Sequence, residues 1–144
     1  MTRSKKIMVV DDEAGIRALL FDALSKEGFA VTLAKDGEDS LKQMRKCRFD
    51  LIITDIDMPR INGLELLRRM KRAGRKEKVI IMTGNPLNQR EIKKEILPVI
   101  TQLDKPFQMN TILEAVSTAF ASKHKKTGVA KVAGQKRKKA LNAI

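Results

Sequence analysis

Short apolar runs alternate along the chain with stretches in which apolar residues recur every three or four positions. A compact apolar run is typical of a buried strand, whereas the spacing i, i+3, i+4 is typical of an amphipathic helix. The runs predict five strands, at about residues 5–10, 29–34, 50–54, 79–83 and 99–103.

Helical periodicity fills the intervals between these strands. The first helix should end at Gly28 and bury one stripe, made of Ile16, Leu19, Leu20, Ala23 and Leu24. A helix from about 86 to 97 should stop at Pro98. The other helices are predicted from the sets Leu41 with Met44, Leu64 with Leu67 and Met70, and Ile112 with Leu113, Val116 and Phe120.

Repeated strand–helix units with short connections predict an α/β fold in which helices cover both faces of a parallel sheet. Open sheets of this kind bind ligands at the carboxyl ends of their strands. The residues that follow each strand therefore decide what the protein can do.

Composition limits the chain to one domain. Its 144 residues are 42% apolar and 33% charged, which is ordinary for a globular protein. The longest apolar runs, such as 7–10 and 79–82, are too short for a membrane span or a secretory signal. With a single cysteine, no internal disulfide can form. We expect a cytoplasmic protein.

The positive charge is concentrated at one end. Of the net charge of +13, residues 122–144 contribute eight Lys or Arg and no acid, while residues 1–121 contain 22 bases and 17 acids. We therefore expect a domain over 1–121 and a basic, flexible tail over 122–144. Three interpretations of the tail stay open: a solvated segment, nonspecific electrostatic attachment to nucleic acid, anionic lipid or an acidic protein, and a remnant of a longer regulator.

Polar residues with complementary chemistry follow four of the predicted strands: Asp11 and Asp12 after the first, Asp55 after the third, Thr83 after the fourth and Lys105 after the fifth. Gathered carboxylates repel one another unless a proton or cation intervenes, and hard oxygen ligands suit Mg²⁺. A carboxylate beside such an ion can attack phosphorus, and a lysine can pair with the phosphoryl oxygens.

Over residues 5–121 the chain resembles the receiver domain of two-component response regulators. The resemblance rests on VVDDE (9–13), TDIDMPRINGLELL (54–67), IIMTGNP (80–86) and LDKPF (103–107). It implies a flavodoxin-like, doubly wound sheet of five parallel strands in the order 2-1-3-4-5. It also implies a stand-alone phosphoacceptor similar to the chemotaxis regulators, rather than an enzyme acting on an outside substrate.

The resemblance assigns a role to each site residue. Asp55 is the expected acceptor, supplied by a phosphohistidine on a sensor histidine kinase or a histidine phosphotransfer protein. Asp12 is the expected direct ligand of Mg²⁺ or Mn²⁺, Asp11 supports that ion, and Asp55 and the backbone carbonyl of Asp57 complete the protein ligands.

The remaining roles concern the phosphoryl group and its readout. Thr83 and Lys105 are expected to contact the phosphoryl oxygens, and the Lys105–Pro106 bond is expected to be cis. Phosphorylation should shift the helix predicted over 86–97 (the fourth helix in sequence) and the fifth strand, and a downstream protein target then recognises this change. The family often has Tyr or Phe at the position of Gln102, so an aromatic readout is in question here.

Three other functions share single features of this pattern. Asp55-Ile56-Asp57 is similar to the D-x-D of aspartate-nucleophile phosphatases, although that motif follows the first strand in those enzymes. A flavin carrier on the same fold needs a hydroxyl- or glycine-rich loop where this chain has Asp-Asp-Glu. A phosphorylation-independent interaction module needs only the fold.

Overall fold

The computed structural model describes residues 3–84 and 99–121. Strands and helices alternate in the order β1 (Lys6–Val10), α1 (Ala14–Lys26), β2 (Ala30–Ala34), α2 (Gly37–Lys46), β3 (Leu51–Asp55), α3 (Gly63–Arg72), β4 (Lys78–Thr83), β5 (Val99–Asp104) and α4 (Met109–Ala121). The helix predicted over 86–97 and the tail predicted over 122–144 lie outside the described residues. No helix among those described is both long and apolar enough to cross a bilayer.

The sheet has five parallel strands in the order β2-β1-β3-β4-β5, which confirms the predicted fold class and strand order. β3 is central, and all five of its residues are buried. A strand buried on both faces needs a continuous apolar run rather than alternation, and 51–53 provide it.

Two hydrophobic cores lie on opposite faces of this sheet. On one face α1 and α4 contribute Leu20, Leu24, Ile112 and Val116, all fully buried. On the other face α2 and α3 pack their own apolar residues, including Met44, Leu67 and Met70. Because each strand sends alternate side chains to the two faces, the same short runs supply both cores.

The prediction that Leu19 belongs to the core is wrong. Leu19 is 53% exposed, although its spacing placed it in the buried stripe of α1, and Phe21 is 44% exposed on the same helix. α1 contacts β1 and β2, at one side of the sheet, so the covered stripe is narrow and centres on Leu20 and Leu24. A residue that lies about 100° around the helix from Leu20 then faces solvent.

Local signals set the helix ends. The carboxylate of Asp36 accepts a hydrogen bond from the Asp39 N–H at 2.8 Å, and the Asn62 side chain accepts one from the Glu65 N–H at 2.9 Å. Each satisfies an N–H that would have no partner at the start of a helix. Gly28 follows α1 with φ of 94°, a conformation that glycine adopts at little cost.

Gly63 joins the start of α3 to the end of β3. Its N–H donates to the Ile56 carbonyl at 2.9 Å, and a Cβ atom there would come 2.5 Å from the Asp55 carbonyl oxygen and 2.7 Å from the Ile56 Cα. Since both are backbone atoms, the loop must move to accept a side chain. Only glycine allows α3 to begin this close to β3.

We therefore expect Gly63→Ala to lower the free energy of unfolding by about 1–3 kcal/mol, the usual cost of overpacking. Gly15→Ala is the matched control, because a Cβ atom at that position in α1 meets nothing within 4 Å. Urea denaturation of both variants measures the difference, and equal stabilities would contradict the close approach.

Candidate functional site

Asp55 is the last residue of β3, at the carboxyl edge of the sheet. It is 3% exposed, and the strand register places it beside Met82 of β4. The next residue continues the pairing, because the Ile56 N–H donates to the Met82 carbonyl at 3.0 Å. The Asp57 N–H donates to Asp55 Oδ1 at 3.3 Å. The main chain therefore holds this carboxylate in the centre of the edge.

Asp11 and Asp12 follow β1, the neighbouring strand. Asp11 is fully buried, its N–H donates to the Ala34 carbonyl at 3.2 Å, and its Oδ1 accepts a hydrogen bond from the Glu13 N–H at 2.9 Å. Asp12 is exposed. One carboxylate oxygen from each of Asp11, Asp12 and Asp55 lies within 4.8 Å of the others.

Lys105 lies between the two buried carboxylates. Its Nζ donates to Asp11 Oδ2 at 3.1 Å and lies 3.4 Å from Asp55 Oδ1. The Lys105 N–H donates to the Thr83 carbonyl at 2.8 Å, which ties the residue to the end of β4. The Lys105–Pro106 bond is cis, as the resemblance implied. The structure thus joins the ends of β1, β3 and β5 through one ammonium group.

Thr83 ends β4 between the strands that carry Asp55 and Lys105. It is 1% exposed and pairs with Asp104 in the strand register. Asp57, the other residue with an implied role, has an exposed side chain, so it contributes to the carboxylate site through its backbone.

The electrostatics of the site follow from burial. Burial raises the pKa of Asp55 from its ordinary value of 3.8 to about 6, and the charge of Asp11 adds to the rise, while Lys105 and the Asp57 N–H oppose it. Burial acts to lower the pKa of Lys105, but the hydrogen bond and charge of Asp11, together with those of Asp55, outweigh it, so that pKa is raised. Lys105 therefore stays protonated, and Asp55 is the carboxylate that bears the cost of burial.

The residues present fit a divalent cation. Three carboxylates facing one ammonium leave a negative site at the sheet edge, and all the candidate ligand atoms are oxygens, which Mg²⁺ prefers. The 4.8 Å limit on their separation is somewhat wider than the distance between opposite oxygen ligands of one Mg²⁺, about 4.2 Å. The carboxylates would therefore draw closer on binding one ion.

Two supporting residues were not singled out by sequence reasoning. Arg17 NH1 donates to the Asp11 carbonyl at 2.8 Å, which holds the loop after β1 against the first turn of α1. Gly63 approaches the Asp55 backbone directly, as described above for the start of α3. A basic residue one turn after Glu13 was a visible signal for the first contact. Nothing in the sequence indicated the second.

Comparisons with known proteins agree on one family. The model of the response regulator receiver domain matches residues 7–117. Sporulation initiation phosphotransferase F of Bacillus subtilis is 39% identical over 114 residues, which cover 78% of this chain and 91% of that protein. The transcriptional regulatory protein FixJ of Bradyrhizobium diazoefficiens is 32% identical over 120 residues, which cover 83% of this chain but only 58% of FixJ.

Solved structures give the same result. The response regulator TrrA of Thermotoga maritima, solved in complex with Mg²⁺ and BeF, matches with a TM-score of 0.71 and 32% identity, and the match covers 80% of this chain and 98% of that one.

The raised pKa of Asp55 predicts a pH-dependent gain in stability for Asp55→Asn. An acid whose pKa is higher in the folded state than in the unfolded state destabilises the fold above both values, and this penalty disappears as the pH falls below 3.8. Without divalent ions we expect the variant to exceed wild type by as much as about 3 kcal/mol at pH 7.5, with the gap closing toward pH 4.

Urea denaturation across this pH range, with a chelator present, measures the gap. Asp22→Asn is the control, because Asp22 forms an exposed pair with Lys26 at 3.4 Å and its removal should change stability by at most about 1 kcal/mol. A gap for Asp55→Asn that does not vary with pH would contradict the burial argument.

Proposed function

The chain belongs to the response regulator receiver family, the phosphoacceptors of two-component signalling, and we propose that Asp55 is the carboxylate that accepts the phosphoryl group. The observation that carries this proposal is the position of Asp55 at the centre of the carboxyl edge, 3.4 Å from the Lys105 ammonium and beside Asp11 and Asp12. Asp11 accepts hydrogen bonds at both of its oxygens, from Lys105 and from the Glu13 N–H, whereas Lys105 and the Asp57 N–H both contact Asp55 through Oδ1.

The reaction moves one phosphoryl group from nitrogen to oxygen. An Asp55 oxygen forms a bond to phosphorus while the P–N bond of a phosphohistidine donor breaks, and the donor imidazole leaves. Lys105 then pairs with a phosphoryl oxygen, and the Thr83 hydroxyl donates to another. Transfer of this kind depends on positioning and charge neutralisation more than on proton transfer.

The cation site is the second part of the proposal. Asp11, Asp12, Asp55 and the Asp57 carbonyl would hold Mg²⁺ or Mn²⁺, which when bound neutralises the charge that collects on the phosphoryl oxygens. The solved TrrA relative contains Mg²⁺ and BeF, which supports this assignment. The exposed Asp12 carboxylate is the one free to swing toward an ion.

Signal output would follow from the new charge. A phosphoryl group adds nearly two negative charges and three acceptor oxygens beside Thr83 and Lys105, which are joined through the Thr83 carbonyl. Movement of Thr83 therefore acts on the end of β4 and the start of the segment after it. Recognition of this shift by a downstream protein is part of the proposal.

The donor would be a sensor histidine kinase or a histidine phosphotransfer protein, the domain would end near residue 121, and the location would be cytoplasmic. Catalysis would be limited to the chain's own phosphorylation and dephosphorylation. Attachment of the tail to nucleic acid or an acidic partner stays a prediction.

The phosphatase alternative is disfavoured because the D-x-D motif follows β3 rather than the first strand. The interaction-module alternative is disfavoured because the full set of acids, hydroxyl and lysine is present.

Incubation with Mg²⁺ and acetyl phosphate tests the acceptor. We expect one phosphoryl group on the wild-type chain and none on Asp55→Asn or in the presence of a chelator, as measured by intact-protein mass spectrometry. Asp57→Asn is the matched control: its side chain is exposed, and the backbone that it contributes is unchanged. Equal labelling of Asp55→Asn and wild type would refute the assignment.

A thermal shift tests the cation site separately from phosphorylation. A ligand that binds only the folded chain stabilises it by about 2.7 kcal/mol at 100 times its Kd, so Mg²⁺ should raise the melting temperature of wild type. We expect Asp12→Asn to lose this rise and to unfold like wild type in a chelator, because Asp12 is exposed without an ion. Asp57→Asn should keep the rise, and a rise that persists in Asp12→Asn would remove Asp12 from the ligand set.

A further inference from the structure

Positive charge is concentrated on one edge of the molecule that the phosphoryl site does not use. Residues 42–48 and 65–78, the basic edge, contain eleven Lys or Arg and two acids, whereas the rest of 1–121 contains eleven bases and fifteen acids. Nine of the eleven bases on the basic edge are exposed. The net charge of the domain is small, but its positive and negative residues are strongly separated.

The fold brings the two segments of the basic edge together. Arg75 donates from NH1 to the Met44 carbonyl at 2.9 Å and from NH2 to the Cys47 carbonyl at 3.1 Å, so the turn after α3 is fastened to the end of α2. Arg45 and Arg48 on one segment and Arg72 on the other flank this junction in sequence. The result is one continuous basic surface rather than two separate helix ends.

The acids of the basic edge do not neutralise it. Glu77 is buried and forms its ion pair with Arg75 at 2.6 Å, so its charge is not presented to solvent. Glu65 forms ion pairs with three arginines, at 3.2 Å from Arg68, 2.9 Å from Arg69 and 3.6 Å from Arg72, and these arginines are 43%, 44% and 66% exposed. The single charge of Glu65 is thus shared among three cations.

Complementing the helix dipole explains only part of this charge. Bases in the last turns of α2 and α3 stabilise the helix ends, but that effect ends within one turn. Lys42, Arg48, Arg68 and Lys76 lie outside those last turns and are exposed.

The geometry points to a binding surface for the phosphate backbone of double-stranded nucleic acid. A duplex presents one negative charge per 1.7 Å or so of its axis, which matches an extended array of cations. Arginine, which accounts for six of the eleven bases, forms paired hydrogen bonds with phosphate oxygens. The one aromatic residue within reach in sequence, Phe49, is 6% exposed and offers no stacking surface for single strands.

A membrane surface fits this edge less well. Binding to a bilayer interface combines cations with apolar side chains that enter the headgroup region. The exposed large apolar residues of the described chain are Leu19 and Phe21, and both belong to α1, the helix on the opposite face of the sheet. The C-terminal ends of α2 and α3 lie at the opposite edge of the sheet from Asp55, about 15–20 Å away because the strands are five or six residues long, so binding there leaves the Asp55 site accessible.

Fluorescence anisotropy with a labelled, mixed-sequence DNA duplex tests the inference on the full chain. The variant Arg45→Gln/Arg48→Gln removes two charges from the basic edge, and Lys26→Gln/Lys35→Gln removes the same charge from exposed positions elsewhere. We expect the slope of log K against log salt to become shallower by about 1.8 in the first variant and to stay at the wild-type value in the second.

A second variant, Arg69→Gln/Arg72→Gln, tests α3 independently, and melting temperatures check that each protein is folded. Equal slopes in basic-edge and control variants would assign binding to residues 122–144 or to net charge, and would overturn the inference. Binding to vesicles containing phosphatidylserine, without binding to the duplex, would overturn it in favour of a membrane surface.

Discussion

The rest of the site depends on one constraint. At the carboxyl edge of the sheet, two buried carboxylates share a single ammonium group. Asp11 and Asp55 are almost entirely removed from water, and their mutual repulsion is offset by Lys105 and by backbone N–H groups. Burying charge in this way is costly unless each charge has partners. The resting site is therefore poised to gain stability from a cation or a proton.

The parallel sheet explains why opposite charges collect at its two edges. Helices that return between parallel strands run against them, so helix N-termini lie near the carboxyl edge and C-termini near the amino edge. Acids such as Asp36 stabilise the former, and bases such as Arg45 and Arg72 stabilise the latter. The same topology that gathers Asp11, Asp55 and Lys105 at one edge thus places the basic C-terminal ends of α2 and α3 at the opposite edge.

The interior next to β4 contains a polar group at a position that is often aromatic in the family. Gln102 stands where an aromatic ring is common, and the register places it beside Ile81 of β4, two residues before Thr83. Its Nε2 is buried and has no hydrogen-bond partner among the described residues. A buried amide without a partner costs roughly 1–3 kcal/mol, so a conformation that provides one is favoured.

The sequence alone determined the fold class and the set of site residue types, because short apolar runs and the residues that follow them are local features, and the resemblance to receiver domains implied the strand order. It also placed Lys105 in the site, since the carboxyl ends of parallel strands meet at one edge. Only the tertiary structure decided that Leu19 is exposed, that Gly63 contacts the Asp55 backbone and that Arg75 fastens α2 to the turn after α3. These features depend on how far each helix overlaps the sheet and on which backbone atoms come within 3 Å of one another. The local periodicity of the sequence predicts neither of these.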